Sequence, residues 1–127
     1  MSEQKQKITE MEINGETYVL KNSIQNNAKE IDGLKPVIVR SYAAGIHFGL
    51  LKSSEYTAAG EVVTLLETQR IWSWNGACSI SQIAIDGIEK GNISVLVPKN
   101  KIVNVIETIE LTEKSFKNLK NQPIWKK

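Results

Sequence analysis

Arg70, Trp72 and Trp74 stand two residues apart and include two of the chain's three tryptophans. On an extended strand, residues two apart share a face, so this spacing predicts a flat surface of one guanidinium and two indoles. Such planes stack on nucleobases, and a guanidinium pairs with phosphate. Asn75-Gly76-Ala77 then reads as a small-residue turn. Ser79 and Ser81 follow at the start of an expected helix, where hydroxyls and N–H groups can donate to a phosphate. The chemistry this predicts is the binding of a small nucleotide. The same residues have a plainer use, with the indoles closing a core or a subunit interface and one serine capping the helix.

A second polar break, Arg40-Ser41-Tyr42-Ala43-Ala44-Gly45, ends an apolar strand. Arg40 is a candidate ligand contact. Ala43, Ala44 and Gly45 are small enough to let backbone amides approach a ligand or a neighbouring subunit, although a tight β connection explains Gly45 equally well. The single histidine, His47, lacks neighbours at metal-ligand spacing and is expected to be a strand residue with a partly exposed ring. Cys78 beside Ser79 has no acid–base partner, so neither forms a catalytic pair. No lysine and glycine spacing of an NTPase loop is present. The expectation is a binding protein rather than an enzyme, needing no cofactor and no metal.

The elements that must position these residues come from 127 residues, enough for one domain. The N-terminus lacks an apolar secretory core, and no apolar run is long enough to span a bilayer. A cytoplasmic protein without a membrane partner is therefore expected. One cysteine excludes an internal disulfide. The net charge of +2 is concentrated at the C-terminal end, where Lys114, Lys117, Lys120, Lys126 and Lys127 face only Glu113. The middle of the chain is balanced, which argues against a partner as long as RNA or DNA.

Residues 1–33 read as a polar extension, disordered over the first ten, with a hairpin around Asn14–Gly15 and a short helix thereafter. Residues 34–127 read as a single α+β ligand-binding domain. Strands are expected over 37–42, 46–52, 61–67, 70–74, 92–97 and 102–111. A helix is expected from 77 or 79 to 86, ended by Gly87, and another from 113 to 119, capped by Thr112. The fold class expected is an antiparallel sheet with both short helices packed on it, in a homo-oligomer.

At Arg40–His47 and at Arg70–Ala84 the chain resembles a family of small phage and prophage proteins. Their usual blocks are Val-Arg-Thr-Tyr-Ser-Ala-Gly-Val-His and Arg-Arg-Ile-Trp-x-Trp-x-Gly-Ala-x-Ser-Leu-Ser-Gln-Leu-Ala. The likeness covers about residues 36–125, including the closing Ile124-Trp125. The family is associated with the first Thoeris anti-defence protein, a sponge for cyclic ADP-ribose-type signals made by bacterial immune TIR enzymes. The resemblance implies a small cyclic nucleotide as partner, including cyclic oligonucleotides, a dimer-based or hexameric assembly, and action in the cytoplasm of an infected bacterium. It carries Arg70 over as a phosphate or ribose contact, Trp74 as a pocket wall, and Arg40–Gly45 as a second site between subunits. Val95, expected in the strand after the helix, stands where relatives often have phenylalanine. Gln69, Ser41 and Ala43 depart from Arg, Thr and Ser, which leaves room for altered ligand preference.

The candidate ligand-binding residues are thus Arg40, Ala43, Ala44, Gly45, Arg70, Trp72, Trp74, Ser79 and Val95. Two rival classes accompany the sponge. One is a phage structural or protein-interaction module with its tryptophans in a subunit interface, and the other is an enzyme that degrades cyclic nucleotides.

Overall fold

The computed structural model describes residues 10–13 and 16–19 as backbone, and residues 26–126 in full. Strands β1 (Glu10–Ile13) and β2 (Glu16–Val19) pair antiparallel in a small sheet of their own. The Asn14–Gly15 turn and the first nine residues lie outside the described residues. So does the start of the short helix expected within residues 21–33, up to residue 25. What is described of that segment is not helical: Asn27 bridges to Thr112, and Ile31 bridges to Leu34 across Asp32 and Gly33.

The main sheet holds β3 (Lys35–Ser41), β4 (Gly45–Thr57), β5 (Gly60–Asn75), β6 (Lys90–Ile93) and β7 (Val97–Glu110). All its strand pairings are antiparallel. Their order is β4-β3-β7-β5-β6, and β4 also pairs with β5. The pairings β3–β4–β5–β7–β3 therefore close a ring, so the expected antiparallel sheet of this α+β fold curls into a small barrel with β6 attached outside it. Closure divides the core in two. Val37, Val39, Val63, Leu65, Ile102 and Val105 fill the barrel. Ile38, Phe48, Ile71 and Ile93 face outward and are covered by α1 (Ile80–Asp86) and α2 (Glu113–Lys120). The uninterrupted run Val37-Ile38-Val39 is what a strand buried on both faces requires.

Two expected strands, 61–67 and 70–74, are one strand in the structure. Glu67 adopts φ 48° within it, and the register with β4 jumps from Leu50↔Leu66 to Phe48↔Gln69. The extra residue on β5 bends the strand without ending it. Gly49 lies opposite, where a Cβ would come within 2.9 Å of the Leu66 carbonyl oxygen. Conversely, the strand expected over 92–97 stops at Ile93, and Pro98 falls inside β7 rather than ending a strand.

Both caps agree with expectation. The Ser79 hydroxyl accepts from Gln82 N–H, and the Thr112 hydroxyl accepts from Ser115 N–H. The helices are also joined through side chains, since Thr112 Oγ1 donates to Ile85 O at 2.6 Å and Ser115 Oγ to Ile83 O at 2.5 Å. Ile85 O thereby gains a partner that the turns of α1 do not supply, and Ile83 O, which already accepts from Gly87 N–H, gains a second.

Gly76 carries the chain from β5 towards α1 with φ 89°, and a Cβ there would sit 2.6 Å from the Glu89 nitrogen. Left-handed strain and the clash with backbone add, so Gly76→Ala is expected to destabilise the fold by about 2–4 kcal/mol. Urea unfolding of the two proteins measures it, and a loss below about 1 kcal/mol shows that the turn relaxes.

Candidate ligand site at the barrel mouth

Register builds the site. His47 on β4 pairs with Arg70 on β5, and its other neighbour is Val39 on β3, a barrel-core residue. The extra residue at Glu67 resets the alternation of β5, so Arg70 continues the inner face begun by Val63 and Leu65. It lies where the barrel opens. Arg70 Nε donates to His47 Nε2 at 3.1 Å, and the guanidinium carbon lies 4.7 Å from the Trp72 ring centroid. That distance is within cation–π range. No carboxylate pairs with Arg70 among the described residues, and its link to His47 is its one side-chain hydrogen bond there.

Trp72 is 55% exposed and meets Trp125 edge to face, with centroids 6.5 Å apart and planes at 75°. The C-terminal segment brings Trp125 there by adding to β6, with Ile124 bridging Ile93 in parallel and Trp125 N–H donating to Ile93 O at 2.8 Å. The result is a succession of four planar groups, His47, Arg70, Trp72 and Trp125. The backbone of Arg70 is held separately, its N–H donating to Ser94 Oγ and its carbonyl accepting from Ser94 N–H.

Two clefts flank this succession. One, of about 300 Å³, is lined by Ala43, Ala44, Gly45, Arg70, Trp72 and Trp74 among others. The other, of about 210 Å³, lies towards His47, Thr68, Ser94 and Asn100 and shares Arg70 and Trp72 with the first. The turn in the larger cleft is shaped by Ser41, whose hydroxyl donates to Val103 O and accepts from Ala44 N–H. Gly45 completes it with φ 81°. A half-buried guanidinium with Nη groups to spare, an exposed indole and a small-residue turn suit an anion carrying a planar base.

Six of the nine candidates therefore meet in one cleft. The shared face expected for Arg70, Trp72 and Trp74 is corrected, however. A second register shift, between Ile71 and Ser73, turns Trp74 onto the helix-side core, where its Nε1 donates to Ala77 O at 3.1 Å. Trp74 lines the cleft from that side. Three candidates stand apart from it. Arg40 is ion-paired with Glu107 at 3.4 Å on the barrel exterior. Ser79 is spent on the helix cap. Val95 lies in the link between β6 and β7, not in a strand, and is exposed beside Ser94.

His47 is the residue that sequence reasoning missed. It is 2% exposed rather than partly exposed. Its pKa is lowered from 6.5 to about 4, first by burial and then by the positive charge of Arg70. The signal lay in its position two residues after the Gly45 turn, which fixes its register against Val39, a barrel-core residue of β3. Among the described residues no three His, Cys, Asp or Glu side chains gather as a metal site, and no helix is long and apolar enough to cross a membrane.

Neither a curated protein nor a solved structure matches the chain. A family model does, over residues 34–119, a span that includes the barrel, both helices but the last residue of α2, and all nine candidate residues, but not Trp125. The chain belongs to the DUF6948 family, described as a domain of unknown function.

Proposed function

We propose that the protein is a phage anti-defence sponge. It binds cyclic ADP-ribose-type and cyclic oligonucleotide immune signals in the cytoplasm of the infected bacterium and returns them unchanged. The observation that carries this reading is Arg70, a half-buried cation stacked on an exposed indole, without a carboxylate partner among the described residues, and shared by two clefts. The guanidinium receives phosphate, Trp72 offers a stacking face, and the Ala43–Gly45 turn lets the ligand approach backbone. Nanomolar capture requires about 12 kcal/mol. Base stacking at roughly 1–3 kcal/mol per ring leaves most of that to phosphate pairing and to enclosure by a second subunit in a dimer-based assembly.

The exposed Trp72 and Trp125, which meet edge to face, favour a second reading, in which this surface is a protein-interaction module. One experiment separates the readings. The protein is mixed with TIR-produced signal, with cyclic ADP-ribose and with cyclic di- and trinucleotides, then separated from free ligand and heated. A sponge releases the ligand intact and in stoichiometric amount. Release of cleaved product makes the protein an enzyme, and absence of capture from the whole panel leaves the interaction module.

A further inference from the structure

The hydrogen bond between His47 and Arg70 dictates more than a contact. A ring nitrogen that accepts an N–H carries no proton, so the neutral imidazole of His47 must hold its proton on Nδ1. Nδ1 is buried and has no hydrogen-bond partner among the described residues. A buried donor without an acceptor is destabilising, so the fold carries a cost to keep this tautomer in place. What the tautomer supplies is an acceptor at Nε2, and that acceptor engages the guanidinium at its inner edge. With Nε–H given to His47 and the plane over Trp72, the two Nη groups have no hydrogen-bond or ion-pair partner among the described residues.

We propose that His47 is the positioning residue of the Arg70 site: by accepting Nε–H it fixes the guanidinium in the orientation that presents both Nη groups to a phosphate or diphosphate. The inference rests on the reading of Arg70 as the anion contact. The free protein thus holds its cation preorganised, and binding need not order a long side chain. Among the cleft residues Arg70 is the one ionisable side chain facing His47. Its neighbour on β3 is Val39, and β7 contributes Val97 and Asn100. Burial and Arg70 together keep the imidazole neutral down to about pH 4, so the orientation persists across the physiological range.

The test begins with the wild-type protein free of ligand. Nitrogen NMR of the imidazole is expected to show a protonated Nδ1 and a bare Nε2, with Arg70 Nε–H protected from exchange. An Nε2-protonated ring overturns the proposal. His47→Phe keeps ring volume and removes the acceptor, whereas His47→Gln returns an acceptor near Nε2. Titrated with cyclic ADP-ribose and with inorganic pyrophosphate, His47→Phe is expected to lose about tenfold in affinity for both, and His47→Gln to recover most of it. Equal affinities for wild type and His47→Phe overturn the proposal as well. If the wild-type protein binds neither probe, the sponge reading fails. Exchange at Arg70 Nε–H then still decides the role of His47, since protection must vanish in His47→Phe and return in His47→Gln.

Discussion

Arg70→Ala is expected to lower affinity for cyclic ADP-ribose by about 100-fold or more, while the protein keeps its fold and assembly size. Removing one partner of a desolvated, hydrogen-bonded charge pair costs on the order of 2–5 kcal/mol, and each 1.4 kcal/mol is a factor of ten. The substitution also takes away the group that rests on Trp72 and the donor that satisfies His47 Nε2, so both walls of the shared region loosen. Stability is affected less. The Arg70 side chain belongs to neither hydrophobic cluster, and its backbone bonds to Ser94 do not involve the side chain. Arg70→Lys separates charge from geometry. An ammonium keeps the positive charge but lacks the planar fork and stacks less well, so an intermediate loss is expected. Calorimetric titration of the three proteins, with sizing chromatography as the fold control, reads the result. Binding by Arg70→Ala within threefold of wild type moves the site elsewhere.

The candidate site was legible in part because its chemistry is local. Arg70 and Trp72 share a face whenever the strand is extended, and a turn of Ala43, Ala44 and Gly45 is small whatever surrounds it. Ser79 and Thr112 announced their helices for the same reason, since a cap is a contact within one turn of chain. The illegible features are all one residue wide. An extra residue at Glu67 joined two expected strands into one and delivered Arg70 to the inner face. Another, between Ile71 and Ser73, sent Trp74 to the opposite side from Trp72. A period-two pattern cannot survive such insertions, and nothing in residue type at 67 or 72 marks them. Barrel closure was hidden likewise. It depends on β4 pairing with both β3 and β5, and those bulges allow the bending that this demands. His47 was misjudged because burial on the inner face follows from closure and not from the composition of its own strand.

The placement of His47 also sets how the fold responds to acid. The unfolded chain protonates this imidazole near pH 6.5, whereas the native protein resists until about pH 4. Between those values the unfolded state binds more protons, so stability falls as pH falls, is complete above the window, and is fully lost from this group below it. A shift of that size corresponds to roughly 3 kcal/mol. Carboxylates titrate near the lower end of the same range, and His47→Gln cancels their contribution because both proteins share them. Urea unfolding at pH 7.5, 6, 5 and 4 should therefore show the wild-type advantage over His47→Gln shrinking steadily, by about 3 kcal/mol in all by pH 4. In Arg70→Ala the second cause of the lowered pKa is gone, so the decline should begin near the same pH as in wild type, end at a higher pH and be smaller in all. Parallel stability curves for wild type and His47→Gln would mean that the imidazole is hydrated in solution, and with that the barrel mouth would have to be more open than its 2% exposure describes.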